Sequence, residues 1–157
     1  RDNAIVLRTC GKALGSEGAL LCGPRVMRDH VINRGRGFIF STAPSPLMAA
    51  CVREALRILE EEPERREALH DLIGYAGRKL APFGASASGS QIMPLVLGDE
   101  ARTMQIAGAL RSAGFDIRGI RPPTVPAGSS RLRISLTLNI GKPQIDALAS
   151  TLSEFLA

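Results

Sequence analysis

The stretch Arg131–Ile140, RLRISLTLNI, alternates strictly between polar and apolar residues. Successive side chains of a β-strand point to opposite faces of a sheet, so this alternation predicts a strand with one buried face. The residues predicted to be buried are Leu132, Ile134, Leu136, Leu138 and Ile140. The rest of the second half of the chain can be arranged around this strand, which has the clearest periodicity in the sequence.

Turn residues and apolar spacing on both sides of this strand predict a small α+β unit. The further elements are a strand at 91–97, a helix at 99–113, a strand at 115–120 and a helix after Gly141. Asp99 is a favourable cap for the first helix, because its carboxylate can accept a hydrogen bond from a free backbone N–H. The order β-α-β-β-α predicts a compact α+β domain over 84–157, behind a Gly/Ser/Ala-rich boundary at 84–90.

Short apolar runs and glycine-rich turns dominate the first half of the chain. They predict strands at 4–7, 19–22 and 37–42 and a short helix at 26–33. The run at 4–7 has β-branched residues at its centre and is expected to be a buried strand. From Leu47 onward, apolar residues recur at helical spacing, and Pro63 should end that helix before a second one that reaches Leu80.

The composition is that of a globular protein without a membrane span or a metal site. The chain has 157 residues, of which 45% are hydrophobic and 22% charged. No apolar run reaches the roughly 20 residues that a membrane helix needs. The three cysteines stand at no metal-ligand spacing, which favours a reduced, cytoplasmic protein.

The basic residues of the chain are mostly arginines: they number 17 of 20, and the net charge is +5. A guanidinium suits phosphate, so contact with nucleic acid is one interpretation. The arginines are scattered, however, and aromatic residues for base stacking make up only 4% of the chain. No nucleic-acid partner is therefore expected, although a basic α+β binding module remains the alternative to an enzyme.

A glycine-flanked lysine in the stretch Thr9–Gly15, TCGKALG, is the sharpest candidate site. Lys12 is one of only three lysines and comes directly after a predicted strand. A nucleotide-binding P-loop would need a glycine and a Ser or Thr where the chain has Val6 and Ala13. A Schiff-base lysine fits better, because a partly desolvated amine is free to attack an aldehyde. A surface lysine in a glycine turn is the alternative.

Two motifs together resemble the α-oxoamine synthases, which are pyridoxal-phosphate enzymes of fold type I. The first is the lysine motif, followed by Phe38–Ala43, FIFSTA. The second is Ile120–Gly128, IRPPTVPAG, followed by Arg131-Leu132-Arg133. The resemblance runs nearly from end to end, and it is strongest to the branch of the family that serves biotin synthesis.

The resemblance implies an α/β fold, the C-terminal part of a pyridoxal-phosphate-dependent transferase of fold type I. Residues 1–45 would be the end of the large cofactor-binding domain, and 46–83 would be connecting helices. Residues 84–157 would be the small C-terminal α+β domain with the order β-α-β-β-α.

The same resemblance implies residues that bind the cofactor, pyridoxal 5'-phosphate. Lys12 would form the Schiff base with the cofactor and later remove the α-proton of the amino acid. Thr9 would bind the cofactor phosphate. Ser41 and Thr42 match a segment that reaches the phosphate in the neighbouring subunit, which implies a homodimer.

The substrate-binding residues implied by the resemblance are Arg121 and Thr124. Arg121 would pair with the carboxylate of the amino acid, for which the bidentate geometry of a guanidinium is well suited, and Thr124 would contact the substrate. The implied reaction is an acyl transfer: L-alanine condenses with pimeloyl-CoA or a pimeloyl carrier protein and loses carbon dioxide. A sister enzyme that uses glycine remains an alternative.

The resemblance also implies that this chain alone is incomplete and inactive. Family chains are longer, and they contain a histidine that stacks on the cofactor ring and an aspartate that pairs with its nitrogen. Neither Asp2 nor His30 stands where those residues should be. Without the aspartate, the ring is a poor electron sink.

Overall fold

A computed structural model describes residues 3–156 of the chain. Its backbone divides between Pro63 and Glu64 into two compact units. The division therefore falls inside the interval 46–83 that the sequence predicts as connecting helices. The assignment of 1–45 to a large cofactor domain and of 84–157 to a small one stays a prediction. Arg1, Asp2 and Ala157, at the ends of those intervals, lie outside the described residues.

The first unit consists of a β-hairpin followed by three helices. Its elements are β1 (Val6–Thr9), β2 (Ala19–Cys22), α1 (Arg25–Arg34), α2 (Arg36–Ile39) and α3 (Pro46–Glu61). The two strands are antiparallel, and Val6 is paired with Cys22 and Thr9 with Ala19. The predicted strand, glycine-rich turn and strand are thus confirmed, as is the helix predicted at 26–33.

Two expectations for the first unit are wrong. The first strand is not buried: every residue of β1 is exposed, because β2 is the only strand that pairs with it among the described residues. The run at 37–42 is not a strand: residues 37–39 belong to the helical turn α2, and 40–42 follow it without regular structure. The amides of Phe38 and Ile39 both donate to the carbonyl of Gly35 at 2.9 Å, which closes that turn.

Helix α3 begins and ends where its sequence predicts. The hydroxyl of Ser45 accepts a hydrogen bond from the Leu47 amide at 3.3 Å, and Pro46 occupies the first turn, where it removes no helical hydrogen bond. The helix ends just before Pro63. Its predicted apolar stripe is present, but Val52 is its only buried member within the described part of the chain. Most of the apolar face of α3 is therefore left open in this unit.

The second unit is a three-stranded antiparallel sheet with three long helices. Its elements are α4 (Glu64–Leu80), a short 3-10 helix (Ala81–Phe83), β3 (Ile92–Gly98), α5 (Glu100–Ser112), β4 (Arg118–Ile120), β5 (Ser130–Ser135) and α6 (Lys142–Leu156). The strand order is β3-β5-β4, and both pairings are antiparallel. This confirms the β-α-β-β-α order. No helix within residues 3–156 is long and apolar enough to cross a membrane.

The core of the second unit is continuous and forms around β5. Helix α5 contacts all three strands, and α4 packs against α6. Side chains that are fully buried come from every one of these helices and from two of the strands: Leu80, Met93, Leu95, Leu110, Leu132, Ile145 and Leu152. The carboxylate of Asp99 caps α5 as expected, since it accepts from the Arg102 amide at 2.7 Å.

The central strand is shorter than its alternation predicts. Leu132, Ile134 and Leu136 are buried as expected, but β5 ends at Ser135 and Leu138 is 46% exposed. The pairing strand explains this end. The Leu136 amide donates to the carbonyl of Gln91, directly before β3 begins, so no partner is left for the residues that follow. Leu138 and Ile140 therefore belong to a turn.

The different environments of Leu132 and Leu138 predict different stabilities. Leu132→Ala should lower the free energy of unfolding by about 2–5 kcal/mol, because it opens a cavity in the core. Leu138→Ala should change it by less than about 1 kcal/mol. Urea unfolding followed by tyrosine fluorescence measures both, since Tyr75 is the only tyrosine, the chain has no tryptophan, and Tyr75 lies in this unit. Equal losses would mean that the strand continues through Leu138.

A polar cluster joins α4 to α6 and predicts a pH dependence of stability. The Tyr75 hydroxyl donates to Asp146 at 2.6 Å, and Nζ of Lys79 lies 3.0 Å from the same carboxylate. The hydrogen bond from Tyr75 and then that from Lys79 lower the pKa of Asp146. A lowered carboxyl pKa stabilises the fold above the ordinary pKa of about 4, and this stabilisation is lost as the pH falls through the lowered value.

Asp146→Asn should therefore destabilise the chain at pH 7, and the difference from the wild type should shrink as the pH falls below about 4. Thermal unfolding followed by circular dichroism at a series of pH values measures this. Asp71→Asn is the matched control, because Asp71 is an exposed acid of α4 with no ion pair in the described part of the chain. A constant difference across the pH range would show that the carboxylate charge is not what stabilises the cluster.

Candidate active site

Lys12 lies in the connection between β1 and β2, which the backbone holds in a defined shape. The Cys10 amide donates to the Gly18 carbonyl at 2.9 Å, and the Ser16 amide donates to the Cys10 carbonyl at 3.0 Å. Within this loop the Gly15 amide donates to the carbonyl of Lys12 at 3.0 Å. Gly15 has a φ of +60°, a conformation that a side chain would strain. Gly15 of the motif thus permits the turn that presents Lys12.

A side-chain hydrogen bond also joins the loop to helix α3 of the same unit. The Ser16 hydroxyl donates to the backbone carbonyl of Met48 in α3 at 3.2 Å. Cys10, next to the turn, is 2% exposed and is thus a packing residue of this unit. The backbone position of Lys12 is therefore set by hydrogen bonds within the loop and by the contact of Ser16 with Met48 in α3.

The reactive groups of this loop are the exposed amine of Lys12 and the nearby hydroxyl of Thr9. Lys12 is exposed and makes no ion pair with any residue in the range 3–156. The partial desolvation that would favour a Schiff-base lysine is therefore not supplied by the described residues. Thr9 ends β1, and its hydroxyl oxygen accepts from the Gly11 amide at 3.4 Å. Thr9 and Lys12 thus belong to one short, exposed segment.

Ser41 and Thr42 lie beyond α2 and are both exposed. The Ser41 hydroxyl donates to the carbonyl of Gly37 at 2.7 Å, so it closes the end of that helical turn. No hydrogen bond joins either residue to Thr9 or Lys12 in the described residues. Within its own unit, then, this pair is separate from the lysine loop.

Arg121 and Thr124 belong to the second unit, in the loop that follows β4. The Thr124 amide donates to the Arg121 carbonyl at 3.0 Å, and the peptide bond between Pro122 and Pro123 in this turn is cis. Nη1 of Arg121 lies 2.6 Å from Oε1 of Glu100, the first residue of α5. The structure therefore brings Arg121 and Thr124 together and adds an acidic partner to Arg121.

Sequence reasoning missed two residues close to these elements. Glu100 follows the cap of α5, a position where an acid is common because it interacts favourably with the helix dipole. Its ion pair with Arg121 could therefore not be recognised in the sequence. Ser130 opens β5, is 1% exposed, and has a hydroxyl without a hydrogen-bond partner among the described residues.

No group of three or more His, Cys, Asp or Glu within residues 3–156 could hold a metal ion.

Comparison with known proteins relates nearly the whole chain to one family of enzymes. The family model described as "Aminotransferase class I and II" matches residues 1–152. The 8-amino-7-oxononanoate synthase of Chromohalobacter salexigens is 41% identical over 98% of this chain, and that of Anaeromyxobacter dehalogenans is 42% identical over 97%. The chain spans about 40% of the length of these curated relatives. The resemblance to the α-oxoamine synthases is thus confirmed.

Solved structures show the same fold. Sphingomonas wittichii serine palmitoyltransferase matches 96% of this chain with a TM-score of 0.87 at 22% identity, and the chain covers 39% of it. The 8-amino-7-oxononanoate synthase of Francisella tularensis matches 96% with a TM-score of 0.82 at 24% identity, and the chain covers 44% of it. A structure of serine palmitoyltransferase with its pyridoxal-phosphate internal aldimine matches 96% of this chain with a TM-score of 0.87 at 24% identity, and the chain covers 39% of it.

The expected fold, the C-terminal part of a pyridoxal-phosphate-dependent transferase of fold type I, is confirmed by these neighbours. The family model covers nearly the whole chain, and the relatives align along both units. The chain therefore belongs to the aminotransferase class I and II family.

Proposed function

We propose that this chain supplies the C-terminal part of an 8-amino-7-oxononanoate synthase of biotin synthesis. The reaction is the condensation of L-alanine with pimeloyl-CoA or a pimeloyl carrier protein, with loss of carbon dioxide. One observation carries the proposal: Lys12 stands exposed on a glycine-rich turn, in a chain about 40% identical to proteins of that name. The sister reaction with glycine is the competing assignment.

Pyridoxal 5'-phosphate is the proposed cofactor, and the groups of the first unit suit it. Lys12 offers an amine with no ion pair in the described residues, and Thr9 offers a hydroxyl beside the Gly11 amide. When bound, the cofactor supplies an electron sink for the α-carbon of the amino acid. Lys12 holds the cofactor aldehyde and later takes the α-proton at Nζ, and Thr9 binds the phosphate. Both roles rest on the match of these positions to the family motif.

The remaining proposed residues bind the substrate and the second subunit. The guanidinium of Arg121 pairs with the carboxylate of L-alanine, an interaction that a planar fork of N–H donors favours. Thr124, in the same turn as Arg121, contacts the substrate. Ser41 and Thr42 reach the cofactor phosphate of the neighbouring subunit in a homodimer.

The first unit supports the view that this chain is active only with further polypeptide. Its buried apolar residues among those described are Cys10 and Val52 alone. Its exposed large apolar residues are Ile5, Val6, Leu7, Leu21, Val26, Ile32, Phe38, Ile39, Phe40, Leu47, Leu56 and Leu59. So much exposed apolar surface, beside so few buried apolar residues, favours an interface with further polypeptide.

An apolar groove on the first unit adds to this argument. It has a volume of about 310 Å³ and is lined by Ile5, Leu21, Met27, Val31 and Phe38, among others. The relatives are about two and a half times as long as the matched segment, since the chain covers only 40% of them. We infer that polypeptide corresponding to the rest of their length covers this surface.

Lys12 should be the lysine that reacts with the cofactor. The isolated chain is incubated with pyridoxal phosphate, reduced with borohydride and mapped by peptide mass spectrometry. We expect several-fold more label at Lys12 than at the other lysines. Lys79 is held by Asp146 at 3.0 Å, which raises the pKa of its amine, and Lys142 lies 5.3 Å from the ring centre of Tyr75. Equal labelling of the three would contradict a selective site at Lys12.

Catalysis should require the rest of the enzyme. The pure chain should give no condensation of L-alanine with pimeloyl-CoA. Co-expression with the N-terminal 60% of the Chromohalobacter salexigens relative should restore product, because that segment can cover the apolar surface. Lys12→Arg should abolish this activity, and Arg66→Lys, an exposed arginine of α4, is the matched control. Activity of the pure chain, or a preference of the assembly for glycine, would contradict the proposal.

A further inference from the structure

Arg121 already binds a carboxylate, that of Glu100. Nη1 of Arg121 and Oε1 of Glu100 are 2.6 Å apart, which is a short, charge-assisted hydrogen bond. The two residues come from different elements, because Glu100 opens α5 and Arg121 follows β4. The contact is thus part of the tertiary structure, and it places an internal acid on the guanidinium that we propose as the carboxylate receptor.

This ion pair can be exchanged at little cost. The side chains of Arg121 and Glu100 are 55% and 49% exposed. Ion pairs exposed to this degree contribute little to stability, since water and salt screen both charges. An incoming carboxylate can therefore replace that of Glu100 without leaving either charge buried and unpaired.

The start of α5 does not need Glu100 as its cap. Asp99 already caps the helix through the Arg102 amide, and the hydroxyl of Thr103 donates to the Asp99 carbonyl at 2.6 Å. The neighbouring arginine is different, because Arg118 pairs at 3.0 Å with Asp116, only two residues away along the chain. Of these two pairs, only that of Glu100 occupies a guanidinium with a proposed substrate role.

We propose that Glu100 competes with the carboxylate of the amino-acid substrate for Arg121 and so sets the affinity for that substrate. This inference rests on the role proposed for Arg121. A substrate carboxylate that binds at Nη1 of Arg121 must displace Glu100, so its apparent affinity is the intrinsic affinity multiplied by the fraction of time that the internal pair is open. For an exposed pair the expected reduction is about two- to fivefold.

The test uses the full 157-residue chain labelled with nitrogen-15. The Nε–Hε signal of Arg121, assigned by its loss in Arg121→Lys, is followed during titration with sodium acetate. Sodium chloride is withdrawn in step, so that the ionic strength stays constant. Glu100→Gln removes the competing charge while it keeps the shape of the side chain, and Glu100→Ala removes the acceptor as well. Asp116→Asn is the matched control, since it removes an acid from the same unit but not the partner of Arg121.

Both Glu100 variants should reach half of the shift at an acetate concentration about two- to fivefold lower than the wild type. Asp116→Asn should titrate like the wild type. The inference is overturned if the Glu100 variants and the wild type coincide, if Asp116→Asn shifts the titration equally, or if acetate moves the signal in none of the proteins.

The labelling of Lys12 keeps this inference distinct from the proposed function. If Lys12 is labelled selectively but Glu100 does not compete for Arg121, the proposed cofactor site is supported and the proposed role of Glu100 is wrong. If Glu100 competes for Arg121 but all lysines are labelled equally, Arg121 is supported as a carboxylate receptor and the proposed function is contradicted.

Discussion

Burial of one face of β5 between its two neighbouring strands organises the second unit. Leu132 and Ile134 are at most 2% exposed, and the strand is paired on both edges, so its register determines what lies at the ends of β3 and β4. Ile120 is paired with Arg131, which makes Arg121 the first residue to leave the sheet. A slip of one residue would turn every side chain of β5 to the other face, and the buried core prevents it. The apolar core thereby fixes the position of Arg121, for which a substrate-binding role is proposed.

The described part of the first unit has no comparable buried strand, yet it still forms its lysine loop. The hairpin pairs its own strands, and hydrogen bonds between Cys10, Ser16 and Gly18 close the connection locally. Local closure needs little from the rest of the protein, because the loop is short and its glycines allow the turn. The stability of the unit is a separate matter, since an isolated two-stranded hairpin is marginal in water. The shape of the lysine loop is thus encoded near Lys12, and burial of the exposed apolar residues of this unit would add to its stability.

The sequence predicts those elements whose pattern reflects their own burial, and it fails where a distant partner decides. The alternation of β5 correctly identifies its buried residues as far as Leu136, but the strand ends with its partner β3, which no local pattern shows. The run at 37–42 has the composition of a strand, and hydrogen bonds to Gly35 make residues 37–39 helical instead. Short apolar runs are ambiguous in this way. The partner of Arg121 is equally invisible, because Glu100 stands 21 residues away.

The pairing of charges separates the residues available for chemistry from those that maintain the fold. Lys79 shares the carboxylate of Asp146 with the Tyr75 hydroxyl, and this cluster joins two helices of the second unit. Its removal would cost the fold a tertiary contact. Lys12 makes no such contact among the described residues, so a new bond at its amine disrupts nothing in its unit. Arg121 is intermediate, since its partner is exposed and exchangeable. This arrangement suits the substrate-binding role proposed for Arg121, because an exposed ion pair can open with little loss of stability.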